Sequence, residues 1–539
     1  PMEYTSERSF EVGHAWDLNP LRLSPRDRVK YRVVAWDNDN ISGPKAARTA
    51  FQIARFPSLG DMYARTEQQQ NSTMDQAEDV AEYIQSIKKK VDELTLQMKK
   101  REELNWQQEQ EAQEILKSHE ELKEKLEEID QQLSEMLEQA QKHQLFSEQV
   151  MEKYQQLQQL FNDVLTPELE SALQKLQEAI DQSDPEDVRQ AMEDLQMNEE
   201  ELSENLDRAM ELFKRVKIEQ QTEEVVRRVN ELLEQQENIT EMADSAGVNK
   251  DDLTQSQQTA ADEYEITEKR MEELRDLMQE FENLPNEEMQ NALSQAQRDS
   301  ILQNMQQAQQ QFQQNEMQQG KQNSQKSSEG LQNLSQMMQQ MQQMQQQQMM
   351  AEIMDDFRDV VRNVLTLSQE QEDLQKRTRP LQRKSPQLEA LADEQQNLQI
   401  NLQHVAAQLF ELSQKTFGVT RDIGRALGES ASNMQQSLEE LAQRRASQSA
   451  DMQSKAMASL NETAQQLLAS MNSLQNQGSS TGFENYLQQM QELTQQQQQL
   501  NQQSSNMGQS GMPSFARQKA MQQMEIGRAS CRERVCHRV

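Results

Sequence analysis

The stretch EILKSHEELKEKLEEIDQQLSEMLEQA, residues 114–140, decides the fold class of this chain. Its apolar residues recur at alternating steps of four and three, which is the heptad spacing of a helix that packs along one face. The residues on this seam are Ile115, His119, Leu122, Leu126, Ile129, Leu133, Met136 and Ala140. Glu121 and Lys125 beside the seam are four residues apart, in the order that supports a helix. The stretch predicts a long coiled-coil helix whose apolar seam, Ile115 to Met136, is a candidate interaction surface.

One polar residue, His119, interrupts this seam. A polar side chain at such a position costs stability but fixes the register of packed helices, and this is the role that we expect for His119. A metal ligand or a pH-sensitive switch is the alternative. The histidines of the chain show no zinc-type spacing with one another or with the cysteines. The sequence therefore predicts no zinc centre and no cofactor.

The composition favours helices with narrow apolar stripes over a thick globular core. Of the 539 residues, 34% are hydrophobic and 4% are aromatic, and the mean hydropathy is -1.01. So little apolar area does not offset the entropy of ordering a large core, whereas a long helix needs only one apolar face. A second such face lies within residues 351–475. Its members, the remaining candidate interaction residues, are Phe357, Val361, Val364 and Leu365.

The net charge of -36 narrows the range of partners. Nucleic acids and anionic lipid surfaces bind proteins through basic surfaces, so we predict neither as a partner. No window reaches the roughly 20 apolar residues that a membrane-spanning helix requires. The sequence has no nucleophile elbow, phosphate-binding loop or dinucleotide-binding glycine motif, so we expect no enzymatic activity.

Only residues 1–56 have the pattern of β-structure. The segment VVAWDNDNISGPKAARTAFQI, Val33–Ile53, predicts a hairpin whose second strand resumes at Ala50, after a turn rich in Asn, Asp, Gly and Pro. Because a lone hairpin is marginally stable, we interpret residues 1–56 as the C-terminal strands of a truncated β-sandwich. Tyr31 is placed to make the corner hydrogen bond of such domains.

The turn of this hairpin is a candidate calcium site. Asp37 and Asp39 are weak calcium candidates, because hard oxygen ligands cluster around them. A solvated hairpin turn uses the same residue types, and this alternative stays open.

These patterns together predict a mainly α fold of long helices or coiled coil, with a small N-terminal all-β segment and low-complexity tracts. The expected order is a β region over 1–56, an acidic helical or coiled-coil region over 57–300, and a Gln- and Met-rich helix or disordered tract over 301–350. A second helical block over 351–475, a loose tail over 476–524 and a basic tail over 525–539 follow. The tail over 525–539 is interpreted as non-native, because its first part, Glu525–Cys536, resembles translated sequencing adaptor.

The residues around the hairpin carry a resemblance to a known family. A strand with Tyr31 precedes the turn at Asp37–Asp39, and the steps Ser42–Lys45 and Pro57–Leu59 follow. This order is similar to the end of the extracytoplasmic β-domain in a family of uncharacterised bacterial membrane-anchored proteins. Their C-terminal half is also long, helical and rich in Gln and Met. The resemblance implies a membrane segment missing from this chain and a location in the bacterial cell envelope, and it implies no activity.

These features predict a non-enzymatic, envelope-associated structural or scaffolding protein. It would act through helix self-association or by docking a protein partner along the two seams, and would contact a membrane only through a missing N-terminal segment. Two alternatives stay open, a calcium-dependent extracytoplasmic binding module and a cytosolic coiled-coil protein. A calcium-induced shift in melting temperature would favour the first, and a nucleotide-binding motif upstream would favour the second.

Overall fold

The computed structural model describes Trp16 and residues 28–37, 43–55, 59–99, 106–182, 185–245, 249–382 and 385–476. Over these residues the chain is mainly α-helical with a few short strands near the N-terminus, which confirms the predicted fold class. Residues 477–539, which include nearly all of the two predicted tails, lie outside the described residues, and so does Asp39.

Twelve helices occur in the described part of the chain, and some of their ends follow directly from the sequence. Pro167 and Pro185 occupy the first positions of α4 and α5, where a missing N–H costs nothing. Thr166 Oγ1 accepts a hydrogen bond from the Leu169 N–H at 3.2 Å, so Thr166 caps α4. The helices are α1 (Leu59–Met98), α2 (Trp106–His143), α3 (Glu148–Asn162), α4 (Pro167–Gln182), α5 (Pro185–Asp244), α6 (Lys250–Met278), α7 (Asn286–Arg298), α8 (Ile301–Gln313), α9 (Met317–Thr378), α10 (Gln387–Ser413), α11 (Arg421–Ala442) and α12 (Ala446–Asn476).

The helices form two compact units. The first unit consists of Pro1–Leu202, Glu223–Lys269 and Asp299–Leu331, and the second of Ser203–Thr222, Arg270–Arg298 and Gln332–Val539. α9 continues through residue 350 without a break, so the change of composition predicted as a boundary there does not end a helix. Glutamine and methionine are both good helix formers, which is why the tract over 301–350 forms α8 and the first half of α9.

The first unit begins with helical segments that run in alternating directions. Side-chain contacts between neighbouring helices join residues whose numbers rise on one helix as they fall on the other. These contacts are Thr73–Gln132, Tyr83–Glu121, Gln158–Asp130, Lys123–Glu170 and Lys175–Asp194. α3 and α4 together run back along α2, and the start of α5 returns along α4. Gln196 of α5 donates a hydrogen bond to Asp92 of α1 at 2.7 Å, so α5 also lies beside α1. With α3 and α4 counted as one member, α1, α2 and the start of α5 complete a four-membered bundle.

The second unit is built on the later part of α9 with α10, α11 and α12. α10 packs on α11, and α11 packs extensively on α12. Their apolar faces form one buried cluster of leucine, isoleucine, valine, methionine and alanine side chains together with Phe357. Each of these helices is amphipathic, so the cluster lies along the centre of the unit.

The N-terminal segment forms two short two-stranded antiparallel sheets that follow one another along the same pair of chain segments, residues 28–37 and 43–55, together called the ribbon below. β1 (Arg28–Tyr31) pairs with β4 (Gln52–Arg55), and β2 (Val34–Trp36) pairs with β3 (Ala46–Arg48). Between the two pairings the second strand has one residue more than the first, which makes a β-bulge. The predicted hairpin is therefore present.

One detail of the ribbon differs from the prediction. Its second strand starts at Ala46 rather than Ala50, because Ala46 pairs with Trp36 across the ribbon. The Tyr31 hydroxyl donates to Gln52 Oε1 at 2.9 Å. The segment just before β1, where the acceptor of the predicted corner bond would lie, is outside the described residues.

Candidate functional site

The first predicted seam is buried inside the first unit. Its apolar candidates are at most 5% exposed, and α2 packs against α1, α3 and α4. These residues are Ile115, Leu122, Leu126, Ile129, Leu133 and Met136. The heptad spacing thus marks the core-facing side of α2 within one chain. A second molecule has no access to these residues while the bundle is intact.

His119 lies on the same buried face and meets a carboxylate from α5. Its Nε2 is 2.7 Å from Oε1 of Glu199, and both side chains are almost completely removed from solvent. The distance is that of an ion pair, although the angles are not those of a hydrogen bond. In the described part of the chain, Nδ1 of His119 and Oε2 of Glu199 have no hydrogen-bond partner. One polar contact therefore joins α2 and α5 across an apolar core.

A contact of this kind acts on helix register more than on net stability. Taking a carboxylate out of water costs several kcal/mol, and attraction to a single partner does little more than offset that cost. A slip of either helix by one residue would part the two side chains and leave Glu199 buried alone. This geometry supports the interpretation of His119 as a register-fixing polar layer.

The second predicted seam lies in the core of the second unit. Its residues belong to one apolar cluster with residues of α10, α11 and α12. The four candidates are Phe357, Val361, Val364 and Leu365, all buried. As in α2, the predicted apolar face is correct and its contacts are made within the same chain.

A layer of amides and hydroxyls crosses this second core. The side-chain amides of Gln371 and Gln395 donate to each other's oxygen at 2.8 and 2.9 Å. Oε1 of Gln395 also accepts from Ser437 Oγ and from Gln453 Nε2, each at 3.0 Å. Ser437 and Ser449 share a hydroxyl contact at 2.8 Å. All five side chains are buried, so one polar layer links α9, α10, α11 and α12.

This layer was not among the predicted features, although the sequence contains a signal for it. In α10 the heptad stripe of Leu388, Leu391, Leu398 and Leu402 has Gln395 where an apolar residue belongs. A polar residue on an apolar stripe indicates a buried layer, as His119 does in α2. The signal was hidden because the chain is rich in exposed glutamine.

The first unit contains a layer of similar construction. Gln236 of α5 and Gln257 of α6 donate to each other's oxygen at 2.9 Å. Nε2 of Gln236 also bonds Ser324 Oγ of α9, and that hydroxyl lies 3.0 Å from Thr240 Oγ1. Each unit therefore has a reciprocal glutamine pair, joined to a serine, between its helices.

A charged cleft of ≈ 280 Å³ lies in the second unit. Lys415 in its wall contacts Glu352 at 2.6 Å and Asp356 at 2.8 Å. The Arg215 guanidinium lies over the Phe281 ring, 4.8 Å from its centroid. Because its charges pair with one another, we interpret the cleft as an ion-pair cluster that joins segments of the unit.

The pKa values around this cleft have the directions expected of such a cluster. Burial acts to raise the pKa of Glu352, but bonds from Lys415 and Asn283 and the charge of Arg215 outweigh it and lower the pKa. Burial acts to lower the pKa of Lys415, and its bonds to Asp356 and Glu352 outweigh it and raise the pKa. Burial lowers the pKa of Arg215. The Glu352 and Lys415 shifts favour the charged forms.

The calcium candidate Asp37 closes the turn of the ribbon. Its Oδ1 accepts the Lys45 N–H at 2.8 Å, and its own N–H donates to the Lys45 carbonyl at 3.0 Å. This is how an aspartate stabilises a hairpin turn. The other candidate, Asp39, lies outside the described residues. Within the described ranges, no group of three or more His, Cys, Asp or Glu side chains could hold a metal ion.

Comparison of the chain with protein-family models, curated proteins and solved structures found no match. Of the helices that the structure describes, none combines the length and the apolar character needed to cross a bilayer. Arguments about function therefore start from the buried seams, their polar layers and the outer surface of the chain.

Proposed function

We propose that this chain is a non-enzymatic structural or scaffolding protein of the bacterial cell envelope. Its helical units act as stiff bodies whose outer faces engage a protein partner or a second copy of the chain. One observation carries the proposal: both predicted seams are buried within the units, together with the polar layers described above. Apolar residues build the units, and most of the charged residues lie on their outer faces.

The polar layers support a mechanical role. An apolar seam alone allows helices to slide by a heptad at little cost, because one leucine replaces another. A hydrogen-bonded layer such as Gln371 with Gln395 loses its partners in every shifted register, and orphaned buried groups cost about 1–3 kcal/mol each. Each unit therefore has one preferred arrangement, as a scaffold under load requires.

The location rests on the family resemblance of the ribbon region. A membrane segment upstream of this chain would hold the ribbon at the outer face of the membrane and extend the helices away from it. The net charge of -36 disfavours nucleic acid as a partner.

Fractionation of cells that make the native protein tests the location. We expect an antibody against the helical region to detect the protein in the envelope fraction. We also expect protease added to spheroplasts to degrade it. Recovery from the cytosol, in a form that external protease does not reach, would contradict the proposal and favour the cytosolic coiled-coil alternative.

Photo-crosslinking in those cells tests the mechanism. A photoreactive residue at Glu124, exposed on α2, should capture a protein partner, whereas the same residue at the buried Leu126 should not. Capture at Leu126 but not at Glu124 would show that the seam itself is the interface, and would contradict the proposal.

A further inference from the structure

The ribbon has an unusual surface for so small a sheet. Four of its large apolar side chains, Val33, Trp36, Phe51 and Ile53, are between 53% and 66% exposed. Single exposed apolar residues are ordinary, but a two-stranded sheet that exposes several of them has little core of its own. The ribbon is therefore a surface that gains stability from being covered.

Positive charge lies beside one of these apolar side chains, Phe51. Lys30 Nζ lies 4.5 Å and the Arg32 guanidinium carbon 4.7 Å from the centroid of the Phe51 ring. Lys30 is also the cross-strand partner of Ile53. Aromatic side chains beside arginine are typical of the residues that dominate protein–protein binding.

The rest of the chain has the opposite charge. Residues 28–55 contain six Lys and Arg against two Asp, a net charge of +4, whereas the whole chain carries -36 and its remainder therefore -40. A nucleic acid that approached the ribbon would be repelled by this remainder. An acidic protein surface fits the ribbon, and the chain itself supplies one.

α2 presents that acidic surface. Glu120, Glu124, Glu127 and Glu128 are exposed and recur at helical spacing. They lie on the side of α2 opposite the buried seam, because one helical turn takes 3.6 residues. We call these four residues the α2 stripe.

We propose that the ribbon of one chain docks on the α2 stripe of a second copy, with Lys30 and Arg32 against the glutamates and the ring of Phe51 covered between them. This rests on the proposed function and names the surface used for self-association. Each copy carries both surfaces, so the contact is heterologous and extends into a concentration-dependent series of oligomers.

Charge reversal on the full chain tests this contact. Sedimentation velocity should show association at about 50 mM salt and its loss at about 1 M, where screening is nearly complete. Lys30→Glu/Arg32→Glu and, separately, Glu124→Lys/Glu127→Lys should each weaken association at least about a hundredfold, because like charges then face each other. Lys89→Glu/Lys90→Glu, exposed on α1 and equal in charge change, should leave association unchanged.

Mixing the two charge-reversed variants is the decisive experiment. The ribbon-reversed chain and the stripe-reversed chain fail to associate alone, but in an equal mixture each reversed surface meets its complement, so association should return. Circular dichroism of each variant checks that the helices are intact.

Three results would overturn the inference: a wild-type chain that stays monomeric at low salt, association that the ribbon reversal does not change, or no recovery on mixing. Binding of a single-stranded oligonucleotide that Lys30→Glu/Arg32→Glu abolishes, without self-association, would overturn it in favour of nucleic acid. None of these results changes the outcome of cell fractionation, so the proposed function can stand or fail separately.

Discussion

Replacement of Gln395 by leucine is the sharpest test of the polar layers. The substitution removes the hydrogen-bond partner of Gln371 Nε2, of Gln371 Oε1 and of Gln453 Nε2 in the core. Ser437 keeps its contact with Ser449. Each of the three orphaned groups lowers the free energy of unfolding by about 2 kcal/mol, whereas burial of the leucine side chain raises it by about 2 kcal/mol. We therefore expect the second unit to lose about 4 kcal/mol of its free energy of unfolding.

Hydrogen exchange on the full chain measures this loss unit by unit. A change of about 4 kcal/mol should speed the exchange of protected amides in α9–α12 by roughly a thousandfold and leave α1–α4 unchanged. Gln399→Leu is the matched control on the same helix, because the Gln399 amide makes an exposed contact with Gln435. It should change exchange by less than about tenfold.

A triple substitution distinguishes the cost of lost hydrogen bonds from the cost of altered packing. Gln371→Leu/Gln395→Leu/Gln453→Leu leaves no orphaned amide, so most of the lost stability should return, as it does when whole buried polar clusters become apolar. The reasoning is refuted if Gln395→Leu stays within about tenfold of wild type, or if the triple variant is less stable than the single one.

Further predictions follow from the other contacts. His119→Leu should cost the first unit about 3–5 kcal/mol, because Glu199 stays buried alone, and His119→Leu/Glu199→Leu should recover most of it in urea titrations; equal losses would contradict the pairing. The folded-state pKa of Glu352 is lowered, so its contribution to stability is full above the usual pKa of 4.5 and is lost as pH falls through the folded value. Melting temperatures of wild type and Glu352→Gln should therefore differ at neutral pH and converge in acid; a constant difference would refute the linkage. Gly320→Ala should destabilise, because its Cβ would lie 2.5 Å from an aromatic ring of α8, whereas Gly428→Ala, with nothing within 4 Å, should stabilise by about 0.5–1 kcal/mol. Thermal melts that shift in the same direction for both would contradict this.

The apolar faces of the helices were predictable, because heptad spacing reports directly which side of a helix is buried. The seam from Ile115 to Met136 has the buried helical face that the sequence indicated. The partner of each seam was not predictable. The same spacing suits a helix of another molecule or of the same chain, and the turns between helices decide between the two.

Only one member of each polar layer could be recognised from the sequence. His119 and Gln395 stand out as polar residues on apolar stripes, but their partners do not. Glu199 lies in the run Glu199–Glu201, where no local pattern distinguishes the buried carboxylate from its exposed neighbours. Pairing across a bundle depends on the axial level of each helix, and this is a property of the whole fold.

Crosslinking within the first unit tests the central claim, that each seam is buried within a single chain. Tyr83 of α1 and Glu121 of α2 make an exposed contact at 2.7 Å, so cysteines placed there, with Cys531 and Cys536 changed to serine, lie within reach of a bis-maleimide. The account predicts a crosslinked species of monomer mass at every protein concentration. A crosslinked dimer, increasing with concentration, would show that α1 and α2 pair between molecules and would contradict the account.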